Sequence, residues 1–452
     1  MKILLCVHGY PPELVGGTEL STKRLAAALV RAGHEVVVFA GTLDWEKRGT
    51  LEETRDTDGV RVLRYSRDDL YFDHWHKGRS ASVRSAFAAV LERERPDVVH
   101  VHHWIRLTRD LIATAARAGV PAVASLHDAW TSCLVAFRIR PATRLPCDAP
   151  LAVDPCIDCA RVLEPPTPWM DADEEQRRFE EHRADLVREL ELARAVVVPT
   201  LSHARTIEAG LGLAPGALRT DVVRPAVDLP ERARAVPRFE SGDVLRIGSW
   251  GHYAEHKGLE VLIDAVRALP DPTRVELRLA GGTVLPAHRA RLEERARGLP
   301  VRFDEGYAPH ELGALPVTDV HLFASGSLAR ESWGLVVDEA LALGLPVVLP
   351  RAGAFAERAQ GVEWARLYEQ TRAEDLARVL RELLENPPAL ARMSAAVPDR
   401  AALFFDGDAQ AAALASVYER ARAAGPPPVP SAPDDARDLA DQRSWDDRLQ
   451  GR

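Results

Sequence analysis

Short, continuous runs of aliphatic residues alternate with segments of helical period along most of the chain, and that alternation leaves few folds open. The runs Lys2 to Val7, Glu35 to Ala40, Val60 to Tyr65, Asp97 to His102, Pro121 to Leu126 and Ala195 to Pro199 are each one strand long. They are apolar on both faces, as buried parallel strands are. Between them, Thr18 to Ala32 sets Leu20, Leu25, Ala26, Leu29 and Val30 at helical spacing and stops at Gly33. Ser82 to Arg95, Thr108 to Ala118 and Glu174 to Ala193 read the same way. Strand, helix, strand in this order predicts a doubly wound α/β sheet.

The pattern breaks at Pro225 and Pro230, and Glu231 to Gly242 has little apolar periodicity, which marks a linker. Alternation then restarts. Strands are expected at Leu245 to Trp250, Val275 to Ala280, Val301 to Asp304, Asp319 to Ala324 and Pro346 to Leu349. Helices are expected at Leu259 to Leu269, Ala287 to Arg297, Ser332 to Leu343 and Glu374 to Glu385. The expectation is two Rossmann-type domains, 1–228 and 229–405, facing a central cleft, the default ligand site of such a pair. A helix within 406–424 follows, and the Pro-, Asp- and Arg-rich tail 425–452 is expected to be disordered.

With 46% apolar and 28% charged residues the chain is expected to be globular, and a net charge of -9 argues against nucleic acid held by bulk electrostatics. No window approaches the roughly 18 apolar residues of a membrane span, and the run Ile3 to Val7 is cut off by Gly9-Tyr10-Pro11-Pro12 before it reaches signal-peptide length. A cytoplasmic chain is expected, with peripheral contact at the inner membrane face left open. Of 58 basic residues only five are lysine: Lys2, Lys23, Lys47, Lys77 and Lys257. A lysine near a glycine loop is therefore worth locating.

After the first predicted strand stands Gly16-Gly17-Thr18-Glu19, where glycines let backbone amides approach a phosphate at a positive helix end. It is neither a dinucleotide fingerprint nor a Walker loop, and a plain turn reads equally well. The second domain opens alike, with Gly248, Gly251 and His256-Lys257-Gly258; Lys257 can serve a diphosphate as a point charge or be a surface lysine. Glu331 and Glu339 bracket Ser332 to Asp338. On one continuous helix they would differ by about 80° in azimuth and about 12 Å in height, enough to meet one elongated ligand. The amides of Gly334 and Leu335 would be phosphate donors in its first turn. Solvated surface carboxylates are the plainer alternative.

Other features are discounted. His100, His102 and His103 end a strand and are read as structural or solvent-facing, and Asp171-Ala172-Asp173 as a helix start. Asp69 with Asp73, His74 and His76 is read as a polar loop, and Cys6 as a small buried hydrophobe. Cys133, Cys147, Cys156 and Cys159 form Cys-x13-Cys-x8-Cys-x2-Cys in a segment without clear periodicity, 133–165. A closed structural zinc site, an iron–sulfur or redox-disulfide role and unliganded thiols all remain open.

Taken in order, the Gly-Gly loop, Gly33-His34-Glu35-Val36, His127-Asp128-Ala129-Trp130, Gly251 to Gly258, and Glu331 to Glu339 followed by Gly344-Leu345-Pro346-Val347 resemble family 4 of the glycosyltransferases over about residues 1 to 420. The resemblance implies a GT-B fold and transfer of a sugar from a nucleotide diphosphate sugar with retention at the anomeric carbon, without a metal in catalysis. The acceptor would be a glycan, a lipid-linked species or a small molecule. It further implies that Gly16 and Gly17 face the diphosphate, that Lys257 pairs with it, and that Gly334 and Leu335 lie beside it. Glu339 would hold the ribose, Glu331 the donor sugar, and His127 would stand at the acceptor side, so that His127, Lys257 and Glu331 form the catalytic set. A subset of the family carries a similar cysteine insertion. Three departures stand out: His252 where the family usually has arginine five residues before the lysine, Pro225-Ala226-Val227-Asp228 in place of Asn-Gly-Val-Asp, and Trp333 where phenylalanine is commoner. An epimerase or phosphorylase on the same scaffold, and a sugar-nucleotide binding protein without turnover, are the alternatives.

Overall fold

A computed structural model describes residues 1–69, 78–163, 171–231, 235–433 and 435–450. The chain divides into two compact units: Met1–Ala136 with Asp148–Ala226 and Phe405–Arg452, and Phe137–Cys147 with Val227–Phe404. The boundary near 226 lies where Pro225 breaks the pattern. The exchange of Phe137–Cys147 into the second unit has no sequence signal that we recognised.

The first unit is built on β1 (Lys2–Val7), β2 (Glu35–Gly41), β3 (Leu51–Arg55), β4 (Arg61–Tyr65), β5 (Val98–Val101), β6 (Ala122–Ser125), β7 (Ala195–Val198) and β8 (Thr220–Val222), in spatial order 3-4-2-1-5-6-7-8. All neighbours are parallel except β3, which runs antiparallel to β4. Leu51-Glu-Glu-Thr-Arg is too polar to announce a strand, and an edge position is what tolerates it. The alternation inside each strand splits the core in two. Leu4, Phe39 and Val99 pack under helices Ala81–Glu94, Leu111–Arg117 and Leu201–Leu211. Ile3, Leu5, Val38 and Val123 pack under Gly17–Arg31 and Gly407–Ala424, the latter through Leu414, Val417 and Tyr418. Cys6 is fully buried within β1.

The second unit holds β9 (Leu245–Trp250), β10 (Val275–Ala280), β11 (Val301–Asp304), β12 (Leu322–Ala324), β13 (Val347–Pro350) and β14 (Ala365–Tyr368), all parallel, in order 11-10-9-12-13-14. Helices Leu259–Arg267 and Ala373–Glu385 cover one face and Leu335–Ala342 the other. β14 escaped the sequence reading because Ala365-Arg-Leu-Tyr is short and half polar.

Two expectations need correction. The tail 425–452 carries a helix, Asp435–Leu449, instead of being disordered throughout. It is held by charge, not by an apolar face: Arg84 pairs with Asp438 (2.6 Å), Arg178 with Asp441 (2.9 Å), and Arg437 with Glu181. Low apolar content therefore hid it. The helix expected from Ser332 begins only at Leu335, because Gly334 caps it in the left-handed region at φ 81°. Asp171 caps helix Ala172–Leu192 by accepting from the Glu174 amide at 2.8 Å, as Asp171-Ala172-Asp173 suggested.

Glu189, fully buried, takes the orphan amides at the start of helix Leu111–Arg117: Ile112 and Ala113 donate at 2.7 and 2.8 Å, and the Trp104 indole at 2.9 Å. Burial pushes its carboxyl up to about 8 against the pull of these donors. Glu189→Ala strands three buried N–H groups and is expected to cost about 3 kcal/mol in urea unfolding; a loss below about 1 kcal/mol contradicts this account. Two histidines of the same unit are buried as neutral rings. His100 sits between the Tyr418 hydroxyl (2.7 Å) and Ser125 Oγ (2.8 Å), its pKa lowered by burial to about 3, and burial lowers His203 to about 4. The unfolded chain binds these protons near 6.5 while the folded one does not. Their contribution to stability is therefore complete above 6.5 and is lost as pH falls from 6.5 towards 4. The unfolding midpoint should drop across that window, less so in His203→Gln; a flat midpoint contradicts it.

Candidate active site

In the second unit the strand order reverses at β9, which has β10 on one side and β12 on the other. Open α/β sheets bind ligands at such a point, beyond the strand C-termini. Here the loops leaving those strands line a small hollow, walled among others by Gly251, His252, Lys257, Ser325 and Glu331.

Two glycines set how closely those walls approach. Gly258 has φ 58°, and a Cβ on it would fall 2.1 Å from the Gly326 carbonyl oxygen; one on Gly326 would fall 2.2 Å from that of Gly258. The Leu328 amide donates to the His256 carbonyl at 2.9 Å across the same contact. Together these bring the Lys257 ammonium to 2.8 Å from Glu331 Oε1, which also accepts from Ser327 Oγ at 2.9 Å. Burial is the largest influence on Glu331 and would raise its pKa. The Lys257 charge and hydrogen bond, with smaller help from the Ser327 hydroxyl, hold it below the ordinary value, so the carboxylate is ionised. Because the helix starts at Leu335, Glu331 lies in the loop before it, and the expectation that both glutamates share one helix is corrected. The β12 loop, not helical azimuth, places Glu331.

Glu339 does ride the helix, where its Oε2 accepts from the Trp250 indole at 2.8 Å. Gly334 is required twice over, by its positive φ and by the Phe355 ring, 2.2 Å from where a Cβ would stand. The Leu335 amide begins the first turn, among the donors a helix leaves without a partner of its own. Trp333 donates its indole N–H to Asp338 at 2.7 Å and lies under the Arg358 guanidinium, 4.2 Å from the ring centre. Phenylalanine could not make the first of these contacts. His252 packs against Gly282, its Nδ1 3.2 Å from a Cβ there.

The first unit gathers a second constellation at the C-terminal ends of β1, β5 and β6. Gly16 caps helix Gly17–Arg31 in an extended conformation, and neither Gly16 nor Gly17 has a positive φ. A Cβ on Gly17 would meet nothing within 4 Å, so no protein contact demands glycine there. Glu19, in the first turn, lies 3.0 Å from His8 Nε2. The His8 ring centre is 4.5 Å from that of His103. His103 Nδ1 accepts from the Ile105 amide at 3.1 Å, which leaves Nε2 as the N–H facing Asp128 at 3.6 Å. His127 Nε2 lies 2.9 Å from His102 Nδ1, and burial lowers the His127 pKa to about 4. His102 and His103, discounted from sequence, therefore stand with His127, while His100 is structural. Sequence reading missed His8, Glu19 and Asp128. The available signal was that His8, His102 and His127 each follow closely on a strand's C-terminal end.

Several expectations gather no site. Cys133, Cys156 and Cys159 belong to the first unit and Cys147 to the second, and all are free of disulfides. Among the described residues no group of three or more His, Cys, Asp or Glu side chains is placed to hold a metal ion. Cys156 and Cys159 ride a helix, Val153–Leu163, that the sequence did not suggest. Asp69 is buried against Arg67 at 2.5 Å, while Asp73, His74 and His76 lie outside the described residues. No helix among the described residues is long and apolar enough to cross a membrane.

Comparison with known proteins agrees with this architecture. Residues 15–231 match the family model for Glycosyltransferase Family 4 and residues 238–400 that for Glycosyl transferases group 1. A glycogen synthase of Mycobacterium tuberculosis is 26% identical over 96% of this chain and 98% of its own length. An MMP alpha-(1->4)-mannosyltransferase of Mycolicibacterium hassiacum is 27% identical over 90% of this chain and 95% of its own. Among solved structures, a sucrose-phosphate synthase from Thermosynechococcus elongatus superposes with a TM-score of 0.62 at 17% identity, covering 94% of this chain and all of that one. Anabaena HepE in complex with UDP gives 0.60 at 17% identity, covering 93% of this chain and 100% of its own. The chain belongs to family 4 of the glycosyltransferases: it is a GT-B enzyme that transfers a sugar from a nucleotide diphosphate sugar.

Proposed function

We propose that the hollow of the second unit holds the donor diphosphate and its sugar, and that the chain transfers that sugar with retention to a hydroxyl of a glycan, a lipid-linked species or a small molecule. The observation that carries this reading is the Lys257–Glu331 pair. It places the one lysine of residues 227–404 at the switch point of the sheet, beside the start of a helix. The side chains are 32% and 17% exposed, so a ligand that reaches them can exchange for the pair by giving each charge a new partner. Lys257 then turns to the diphosphate and Glu331 to hydroxyls of the donor sugar. Glu339, oriented by Trp250, takes the ribose, and the amides of Gly334 and Leu335 lie next to the phosphates.

In the reaction the bond from the anomeric carbon to the diphosphate oxygen breaks, the acceptor oxygen bonds to the same face, and the acceptor's proton leaves with the diphosphate. Negative charge grows on the leaving group, so a fixed ammonium and helix amides stabilise the transition state more than the ground state. His127, after β6 of the first unit, is assigned to the acceptor side. The UDP bound by Anabaena HepE supports a nucleotide of this type without deciding the base.

Lys257→Ala is expected to lower kcat/KM by about a hundredfold, the scale of losing one charge stabiliser; an unchanged rate contradicts its role. Glu339→Ala should weaken nucleoside diphosphate binding by about tenfold in calorimetry, and unaltered affinity refutes the ribose contact.

A further inference from the structure

The segment Phe137–Cys147 interrupts the first unit in sequence but groups with the second. It is a small hairpin: Ile139 and Pro146 form an antiparallel bridge, Arg140 donates its amide to Leu145 (2.9 Å), and the Cys147 amide donates to the Arg138 carbonyl (2.7 Å). Ile139, 9% exposed, belongs to the second unit's core and anchors it. Arg138 and Arg144 hold left-handed backbone, φ 51° and 58°, which non-glycine residues adopt at some cost.

What the hairpin touches is the turn that presents Lys257. The Phe137 ring lies on the His256 imidazole with centres 4.1 Å apart and planes 8° from parallel. His256, its pKa lowered to about 4 first by burial and then by Lys257, is neutral, so this is a stack of two uncharged rings. Arg144 donates to Glu260 at 2.7 Å and to the Glu255 carbonyl at 3.2 Å. Residues on both sides of Lys257 are thereby gripped from the hairpin, while Leu328 and Gly326 hold the turn from the β12 loop. Phe137 is 43% exposed, so burial alone does not explain its place. A flexible lysine binds an anion better when the backbone that carries it is already fixed.

We propose that the hairpin Phe137–Cys147 is a strap that sets Lys257 for the donor diphosphate, with Phe137 and Arg144 as positioning residues. The inference rests on the donor-site reading above. Its test compares the full chain with Phe137→Ala, with Phe137→Ala plus Arg144→Ala, and with Phe137→Trp, which keeps a stacking ring. Calorimetry with UDP, GDP and ADP, and with the corresponding monophosphates, reads the outcome. The diphosphate that binds the parent chain is expected to bind the double variant about tenfold more weakly. Phe137→Ala should fall between the two, Phe137→Trp should match the parent, and monophosphate affinity should hardly change. Equal weakening of mono- and diphosphate would reduce the hairpin to a structural part and overturn the strap, as would unchanged diphosphate affinity in the double variant. A parent chain that binds none of the three diphosphates overturns the donor-site reading itself, and the strap with it.

Discussion

Two backbone segments of the second unit meet so closely at Gly258 and Gly326 that neither can carry a side chain, and the proposed chemistry follows from that contact. It brings the turn after β9 against the loop after β12, and so fixes an ammonium beside a carboxylate that come from distant points of the sequence. A β-carbon at either position would press on a carbonyl oxygen and push Lys257 away from Glu331. The sheet order supplies the rest, since β9 and β12 are neighbours and their C-terminal loops must open on the same side.

The Lys257–Glu331 pair also shows how a site can be prepared without being locked. Each charge neutralises the other, which avoids leaving a half-buried charge alone. Both groups retain some contact with water, so in the proposed function a ligand can exchange for the pair by giving each a new partner. Glu339 is held differently, through the Trp250 indole, which donates to its Oε2. The helix beneath it starts late because Gly334 turns the chain, so Glu331 and Glu339 are carried by separate elements.

Much of this was legible in the sequence. Continuous apolar runs located every central strand, and glycine–lysine and glutamate spacing located the second unit's hollow. What escaped had physical reasons. β3 is polar because it is an edge, helix Asp435–Leu449 docks through arginine–aspartate pairs that composition alone reads as disorder, and Glu331 was assigned to a helix because the left-handed cap at Gly334 has no periodic signature. Of the first unit's histidine cluster only His127 was singled out, because His8, the His102–His103 pair and His127 are far apart in sequence. Only parallel pairing of β1, β5 and β6 brings their C-terminal ends together. Cysteine spacing gave no hint that the hairpin between Cys133 and Cys147 groups with the other unit.

The most direct test is a crystal structure of the chain with whichever nucleoside diphosphate raises its melting temperature most. The account predicts the diphosphate within hydrogen-bond reach of Lys257 Nζ, the Lys257–Glu331 contact opened, and the ribose hydroxyls on Glu339. A nucleotide bound elsewhere, with that pair still closed, would contradict it.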